Sequence, residues 1–517
     1  MQVLDFGGYL ERAARLYRTR PAVIAEGDRL TWSQLHQRAD QLAVGLTDLG
    51  LRPGDRVADL RANGVDSMVV EFALALAGLV RVPLNPRFTP DEVARLVAGV
   101  DARAMLTAAG FEQHITAVSA ESSSVRFIVG HGVSGAIEAT EIVRARTEKR
   151  PVIDPDALIN IRFTGGTTGL PKAVMARQAT QIGWSAMLLM DLLDIDQHDV
   201  LLQTQPYSHG GGNTVLPCAM RGAALLLQER FDADAVLDAV EAEQATMVKI
   251  VPTVLYRLLE AQRRRPRDLS SLRLLIYGAA PMPEQLIHEA FDLFDCGFAQ
   301  VYGQAEAQTT IACLTERDHE RERRTPTGRI RSVGRPYSMT DVAVLDPQGR
   351  TLAPGEHGEI VVRGVLTADG YWNDPEMTAE VFRDGWVHTG DLGYLDADGY
   401  LFLVGRAGDV MISGGFNVYP AEVEQALTAV PGVAAAVVTS LPDLEWGDRV
   451  VAAVVPADGV HLDPDQVRGA CREKIAGFKC PKEIRVVDEI PLNPNGKVNR
   501  ARARALFART GAGGENR

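Results

Sequence analysis

A ten-residue stretch rich in glycine and threonine carries the residues of this chain best suited to bind phosphate. It reads Phe163-Thr164-Gly165-Gly166-Thr167-Thr168-Gly169-Leu170-Pro171-Lys172 and follows a strand-like run from Leu158 to Phe163. Glycine lets a backbone approach an oxyanion closely, and amide N–H groups, hydroxyls and an ammonium then surround it. The stretch is not a Walker A loop, because no Gly-Lys-Ser/Thr follows at the required spacing. The predicted phosphate-binding residues are Thr164, Gly166, Thr167, Thr168, Gly169 and Lys172.

Further motifs combine glycines with aromatic, acidic and basic residues. They are Leu275-Ile276-Tyr277-Gly278-Ala279-Ala280-Pro281-Met282, Tyr302-Gly303-Gln304-Ala305-Glu306, His388-Thr389-Gly390-Asp391 with Arg406 fifteen residues on, and Pro491-Leu492-Asn493-Pro494-Asn495-Gly496-Lys497-Val498. In order and spacing, they and the phosphate loop resemble the motifs of the adenylate-forming superfamily. That superfamily includes acyl-CoA synthetases, luciferases and peptide-synthetase adenylation domains. The resemblance covers most of the chain and is closest to acyl- or aryl-CoA ligases.

The resemblance implies a site for ATP and Mg²⁺. Tyr302 would stack on adenine, since a tyrosine face suits a flat heterocycle. Glu306 would help hold Mg²⁺, a hard cation that prefers carboxylate oxygen. Asp391 would accept the ribose hydroxyls, and Arg406 would also reach the nucleotide. The small residues that complete the predicted nucleotide site are Gly278, Ala279, Ala280 and Gly303.

The resemblance also implies an acyl-transfer mechanism in which Lys497 is catalytic. A carboxylate attacks the α-phosphate of ATP and expels pyrophosphate, and a mobile ammonium stabilises the negative charge that gathers there. His209 lies in Pro206-Tyr207-Ser208-His209-Gly210-Gly211-Gly212, which resembles the segment that gates the acyl pocket, and would sit near the carboxylate. Because no charged residue lies between Gln203 and Met220, we expect a hydrophobic aliphatic or aryl acid rather than a dicarboxylate or an amino acid.

CoA is the predicted acceptor of the acyl group. Ser413 to Pro420 resembles the segment that enters the site in the thioester-forming state, where Gly414 and Gly415 would line a narrow pantetheine tunnel. The segment from Ala476 to Lys482 resembles one that is often found in CoA ligases. The family rotates its small C-terminal domain between the two half-reactions, and the pivot falls on Gly408, where Asp or Lys is usual. Glycine readily absorbs the φ/ψ change of a pivot.

Four positions depart from the family pattern, and the changes at Gly165, Ala305 and Gly408 leave room for another acceptor. Gly165 replaces a common serine, Ala173 a common glycine and Ala305 the usual threonine, and Gly408 is the fourth. One alternative keeps adenylation but transfers the acyl group to a carrier protein or an amine, or activates nitrite to diazotise an aryl amine. A second alternative is a catalytically weak nucleotide-binding or regulatory protein. The residues that argue against it are Lys172, Glu306, Asp391, Arg406 and Lys497.

Composition excludes several classes of protein. The formal net charge of −13 over 517 residues argues against a general nucleic-acid-binding role. Five cysteines, none of them in a CxxC pair, argue against a disulfide framework and a structural zinc site.

The amino terminus lacks a signal-peptide pattern, and no apolar run is long enough to span a bilayer. We therefore expect a cytoplasmic protein with no membrane span. No heptad pattern indicates an oligomeric state.

The order of the predicted elements indicates an α/β fold with parallel strands. Arg56 to Leu60 and Arg81 to Leu84 have the pattern of short buried strands, and Val65 to Gly78 that of a buried helix between them. Turn signals after about residue 340 indicate a β-rich subdomain, and a small α+β unit follows. We predict a large N-terminal α/β domain over residues 1–405, with its β-rich subdomain at about 340–405. A small mobile C-terminal domain would cover 406–517, with a hinge near 406–409.

Overall fold

The computed structural model describes residues 4–147, 150–164, 171–280, 282–413, 416–443, 446–457, 459–493 and 498–508. The strands are β1 (Pro21–Ala25), β2 (Asp28–Thr31), β3 (Arg56–Leu60), β4 (Val80–Leu84), β5 (Ala104–Ala108), β6 (Phe127–His131), β7 (Ile137–Glu138), β8 (Leu158–Thr164), β9 (Lys172–Arg177), β10 (Val200–Gln203), β11 (Ala224–Leu227), β12 (Met247–Ile250), β13 (Leu274–Gly278), β14 (Gly297–Tyr302), β15 (Ala312–Leu314), β16 (Arg335–Pro336), β17 (Thr340–Leu345), β18 (Gly358–Gly364), β19 (Phe382–Arg383), β20 (Trp386–Leu395), β21 (Leu401–Arg406), β22 (Met411–Ser413), β23 (Phe416–Val418), β24 (Val433–Asp443), β25 (Gly447–Pro456) and β26 (Glu483–Val486). The helices are α1 (Phe6–Leu16), α2 (Trp32–Asp48), α3 (Val65–Leu76), α4 (Pro90–Gly99), α5 (Glu112–Glu121), α6 (Ala139–Ile142), α7 (Gln178–Asp191), α8 (Val215–Arg221), α9 (Ala233–Glu243), α10 (Pro252–Arg264), α11 (Glu284–Phe294), α12 (Glu316–Arg324), α13 (Pro375–Val381), α14 (Pro420–Thr428), α15 (Pro464–Arg472) and α16 (Arg500–Ala508).

Two large sheets form the body of the molecule. One has the strand order β16-β15-β14-β13-β12-β10-β11-β1-β2, and the other has the order β7-β6-β5-β3-β4-β8-β9. In the first sheet the strands from β14 to β1 run parallel, and antiparallel strands lie at its edges. In the second sheet only β9 is antiparallel. The predicted parallel strands are thus present in the centres of both sheets.

The helices fill the layers between and outside these two sheets. A core that includes Leu42 of α2, Phe72 of α3 and Trp184 of α7 lies between the sheets. A second core packs α9, α10 and α11 on the outer face of the nine-stranded sheet, and a third packs α4 and α5 on the seven-stranded sheet. Apolar side chains on both faces explain why the central strands are almost continuously hydrophobic.

Two smaller sheets complete the fold. Strands β17 to β21 form an antiparallel five-stranded sheet, and β22 to β26 form another five-stranded sheet near the carboxyl end. The second of these carries α14 and α15 on a core of its own. The predicted fold class is confirmed: a large α/β region with a β-rich part is followed by a smaller α+β domain.

Local signals place several element ends close to where the sequence predicts them. Helix α2 begins after Thr31, whose hydroxyl accepts the N–H of Gln34 while the Gln34 side chain accepts the N–H of Thr31. This capping box satisfies two donors that a helix end leaves unpaired. Gly50 follows the helix with a φ of 95°, a conformation that favours glycine. Strand β3 has the predicted bounds, and β4 begins one residue earlier than predicted.

No helix among the described residues is long and apolar enough to cross a membrane.

A buried histidine gives the large domain a specific dependence on pH. His319 of α12 is 1% exposed, and its Nδ1 donates to the carbonyl of Thr315 at 2.9 Å. Its Nε2 then accepts the hydroxyl of Tyr277 at 2.8 Å. Burial lowers the pKa of His319 to about 4, although the hydrogen bond to Thr315 acts in the opposite direction. The neutral ring therefore belongs to the folded state.

We expect this histidine to destabilise the fold as the pH falls from about 6.5 towards 4. In that window the unfolded state binds the proton and the folded state does not, so the free energy of unfolding decreases by roughly 1–2 kcal/mol between pH 7.5 and 5. Urea midpoints of the wild type and of His319→Gln at several pH values measure this contribution. The variant should have a shallower pH profile over this range, and parallel profiles would contradict the assignment.

Candidate active site

Two of the predicted nucleotide motifs lie at the carboxyl ends of neighbouring parallel strands. Strand β13 ends at Gly278 and β14 at Tyr302, and Gly278 is paired with Val301. This edge of an open α/β sheet is where ligands commonly bind. A Cβ at Gly278 would clash with the Val301 carbonyl, so the strands require glycine there. Ala279 follows with a φ of 69°, which only a few per cent of non-glycine residues adopt, and Ala280 comes next in the same turn.

A second tight turn follows β14. A Cβ at Gly303 would clash with the backbone of Thr309 and Thr310. Gln308 and Thr309 have φ values of 49° and 65°, so two successive non-glycine residues are left-handed. Such strain needs support from the surrounding structure and is concentrated at functional sites. The turn carries Glu306, and both Glu306 and Tyr302 lie close enough to Arg406 to add to the effect of Asp391 in raising its pKa.

Tyr302, Asp391 and Arg406 form one hydrogen-bonded group. The Tyr302 hydroxyl donates to Oδ2 of Asp391 at 2.6 Å, and Nε of Arg406 lies 2.8 Å from Oδ1. Asp391 and Arg406 are direct partners in the β20–β21 ladder. The Asp391 carboxylate raises the pKa of Arg406, and burial raises the pKa of Tyr302 well above its usual range. Each carboxylate oxygen keeps a further lone pair, so Asp391 can still accept ligand hydroxyls.

Glu306 and Lys172 meet at Tyr371. The Tyr371 hydroxyl donates to Oε1 of Glu306 at 2.7 Å, and Lys172 Nζ lies 5.4 Å from the centroid of the Tyr371 ring. Glu306 is 8% exposed, and among the described residues Oε2 has no hydrogen-bond donor. Burial raises the pKa of Tyr371, and the Glu306 carboxylate adds to that effect. The Glu306 carboxylate, with one oxygen unpaired among the described residues, and the Lys172 ammonium thus contact the same tyrosine.

Tyr371 is a site residue that the motifs do not predict. It follows Gly370, whose φ is 117°, and it forms an isolated antiparallel bridge with Val174 of β9. In the sequence these residues indicate only a turn before a helix that begins with a proline. The contact with Glu306 joins residues 65 positions apart, so no local pattern could reveal it.

His209 precedes a 3₁₀ turn over Gly210–Thr214, and its N–H donates to the carbonyl of Pro206 at 2.9 Å. Cβ atoms at Gly211 and Gly212 would lie 2.7 Å from the carbonyls of Gln205 and Tyr207. The consecutive glycines are therefore explained by close packing of the turn on the preceding residues.

Seven predicted site residues lie outside the described residues, although the residues on either side of them are described. Thr164 and Lys172 are direct partners in the β8–β9 hairpin, so both ends of the phosphate-loop stretch meet. Ser413 pairs with Phe416, and Leu492 forms an isolated bridge with Val498. The seven residues are Gly166, Thr167, Thr168, Gly169, Gly414, Gly415 and Lys497.

Comparison with known proteins agrees with this arrangement of strands and motifs. A family model described as AMP-binding enzyme matches residues 10–372, and one described as AMP-binding enzyme C-terminal domain matches residues 422–497. The fold and the matching family models thus define an AMP-forming ligase. The chain belongs to the AMP-binding enzyme family, as the resemblance of its motifs to those of adenylate-forming enzymes predicted.

Relatives of similar length differ in the acceptor that their names imply. Feruloyl-CoA synthase from an Amycolatopsis species is 37% identical over 510 residues, covering 98% of this chain and 100% of its own. The fatty acid–[acyl-carrier-protein] ligase ScoC from Streptomyces coeruleorubidus is 34% identical over 495 residues, covering 95% and 94%. The solved structure of the amide bond synthetase McbA from Marinactinospora thermotolerans has a TM-score of 0.87 at 33% identity, covering 97% and 100%.

Proposed function

We propose that this protein is an ATP-dependent carboxylate–CoA ligase. The acid's carboxylate attacks the α-phosphorus of ATP, pyrophosphate leaves, and an acyl adenylate forms. The thiol of CoA then attacks the acyl carbon and expels AMP. The observation that carries this proposal is the contact of Tyr302 with the Asp391–Arg406 pair, together with the contacts of Tyr371 with Glu306 and Lys172, in a chain similar over 98% of its length to feruloyl-CoA synthase.

We assign the nucleotide to the Tyr302–Asp391–Arg406 group. The Tyr302 ring suits adenine, and the free lone pairs of Asp391 suit the two ribose hydroxyls. Gly278, Ala279, Ala280 and Gly303 belong to the two tight turns that follow β13 and β14, and these turns would bring peptide groups close to the base.

We assign the polyphosphate and its cation to the other half of the site. Thr164 and Lys172 flank the phosphate loop, and an ammonium suits the β- and γ-phosphates. Glu306 fits Mg²⁺ because its Oε2 has no donor among the described residues and the cation prefers oxygen ligands. The bound cation would neutralise charge on the phosphates, while Tyr371 holds the carboxylate in place.

The C-terminal domain would adopt two orientations in turn, one for each half-reaction. We place the boundary between the N-terminal and C-terminal domains between residues 405 and 406, with the pivot in the 3₁₀ turn Ala407–Asp409. A Cβ at Gly408 would meet no atom within 4 Å, so packing does not restrict this residue. In one orientation Lys497 reaches the reacting carboxylate and phosphate, and in the other Gly414 and Gly415 admit the pantetheine. His209 would lie beside the reacting carboxylate. We assign the reaction to the cytoplasm.

The acceptor can be tested directly. AMP and pyrophosphate should appear when ATP, Mg²⁺ and CoA are mixed with a panel of aliphatic and aromatic acids, and acyl-CoA should accumulate in step with AMP. AMP formation that does not need CoA but needs an amine or a carrier protein would support the alternative acceptors. Release of ADP and phosphate would contradict adenylation itself.

Replacing Asp391 by asparagine should raise the KM for ATP about 10- to 100-fold, because the amide loses the charge that binds Arg406 and one acceptor for the ribose. The measurement is ATP–pyrophosphate exchange as a function of ATP concentration. Asp341→Asn is a matched control, since Asp341 pairs with Arg363 on the exposed face of the same sheet. An unchanged KM in Asp391→Asn would remove this residue from nucleotide binding.

A further inference from the structure

Two basic side chains face each other across the layer between the large sheets. Lys249 is on β12 and shares a strand face with Met247, which belongs to the core between the sheets. Arg162 is on β8, where the adjacent Ile161 and Phe163 point to the core on the outer face. Arg162 therefore points inward. Both side chains bind the 3₁₀ turn Gly210–Thr214, which brings them close together, and burial, together with the neighbouring Arg162, lowers the pKa of Lys249 to about 8.

Neither cation forms an ion pair with a described residue. Nη1 of Arg162 donates to Oδ1 of Asn213 at 3.3 Å, and Nζ of Lys249 donates to the carbonyl of Gly210 at 3.0 Å. Both acceptors are neutral. Burial lowers the pKa of Arg162 to about 10, although nearby Glu71 acts in the opposite direction.

The neighbouring carboxylates are already engaged by other groups. Glu71 accepts the hydroxyl of Tyr207 at 2.5 Å and lies 3.3 Å from Arg81. Asp59 is bound by Arg61 at 2.6 Å and by Arg81 at 2.8 Å. Asp59 and Glu71 are thus already paired with the guanidinium groups of Arg61 and Arg81. Arg162 and Lys249 add two more positive charges. Among these described groups, positive charge is in excess, which is costly where water is scarce unless an anion enters.

These cations contact the turn that was predicted to gate the acyl pocket. Gly210 and Asn213 both belong to the 3₁₀ turn that follows His209. Asn213 Nδ2 also donates to Oγ1 of Thr309 at 3.4 Å, in the strained turn next to Glu306. The two cations therefore lie beside the nucleotide residues and not among them.

Other polar atoms around this turn also lack partners among the described residues. Gln203 is the ladder partner of Lys249, and its Oε1 is buried without a hydrogen bond, as are Oγ of Ser208 and Nε2 of Gln308. Buried polar atoms are nearly always satisfied in native proteins, so unsatisfied ones indicate a polar ligand or water. The combination of excess charge and unsatisfied polar atoms is that of a binding site.

We propose that Arg162 and Lys249 bind a second carboxylate on the acid, distinct from the carboxylate that is adenylated. This inference rests on the proposed function and narrows its substrate class to dicarboxylic acids with an apolar body. The neutral segment from Gln203 to Met220 predicted a hydrophobic acid rather than a dicarboxylate. The inference departs from that prediction because Arg162 and Lys249 come from strands outside that segment.

The test uses pairs of acids that differ only in the second carboxylate: terephthalate with 4-methylbenzoate, and suberate with octanoate. Pyrophosphate release is measured with ATP and Mg²⁺ for the wild type, Arg162→Gln and Lys249→Gln. We expect the wild type to prefer the dicarboxylate, and each variant to lose about 10- to 100-fold in kcat/KM for it while the monocarboxylate changes little. Arg273→Gln is the control, because Arg273 pairs with Asp199 at the opposite end of the same sheet.

Several results would overturn the inference. A wild type that prefers the monocarboxylate of each pair would contradict it, and so would equal losses for both acids, which would place the cations at the reacting carboxylate. Where a glutamine variant does not fold, Arg162→Lys and Lys249→Arg keep the positive charge and should retain the preference for the dicarboxylate of each pair. If no acid of either kind yields AMP, the proposed function fails. AMP formed from monocarboxylates alone defeats only this inference.

Discussion

Replacing Lys497 by alanine should slow formation of the acyl adenylate by about 10²- to 10³-fold, because a preorganised positive charge at the α-phosphate stabilises the transition state. The chain flanking Lys497 is held by the bridge between Leu492 and Val498, and the N–H of Asn499 donates to the carbonyl of Pro491 at 2.8 Å. These contacts do not involve the lysine side chain. We therefore expect the variant to keep the fold and the thermal stability of the wild type.

Measuring the two half-reactions separately distinguishes a catalytic role of Lys497 from a structural role. A synthetic acyl adenylate supplied with CoA bypasses the first step, so Lys497→Ala should still form acyl-CoA from it at close to the wild-type rate. Lys474→Ala is the matched control, because Lys474 is an exposed lysine of the same domain. Equal losses in both half-reactions would indicate that the substitution disturbs the domain, and no loss in the first would exclude Lys497 from catalysis.

Replacing Glu306 by glutamine should lower the adenylation rate by about 10²- to 10³-fold at low Mg²⁺ concentration. The amide keeps the shape of the side chain and can still accept the Tyr371 hydroxyl, but it loses the negative charge that attracts a hard cation. The measurement is the rate of pyrophosphate release as a function of Mg²⁺ concentration at saturating ATP. Half-saturation should move to higher Mg²⁺.

Two further variants distinguish metal binding from packing at this position. Tyr371→Phe removes the 2.7 Å hydrogen bond but keeps the carboxylate, so its effect should be much smaller than that of Glu306→Gln. Glu380→Gln removes an exposed carboxylate on neighbouring α13 and should leave the Mg²⁺ dependence unchanged. If Glu306→Gln and Tyr371→Phe had the same effect, Glu306 would serve to position the turn and not to hold a cation.

Much of the fold was predictable because its signals are local. The apolar runs that became β3, β4 and β8 are short and bounded by polar or turn residues, and their bounds agree with the prediction to within one residue. The pairing of strands was not predictable. Strands β1 and β2 precede the seven-stranded sheet in the chain but join the nine-stranded one, where Val23 pairs with Leu225. Their own patterns do not specify a partner two hundred residues away.

Part of the candidate site was likewise predictable from the sequence, and part of it was not. The sequence by itself determined the family, the parallel α/β fold class and the order of the nucleotide motifs, because residue types at fixed short spacings carry that information. Only the tertiary structure decided that Tyr371 would bind Glu306 and that Arg162 and Lys249 would face one turn from two different sheets. The physical reason is that side chains far apart in the chain converge only when whole sheets and helices pack, and no short pattern encodes that packing.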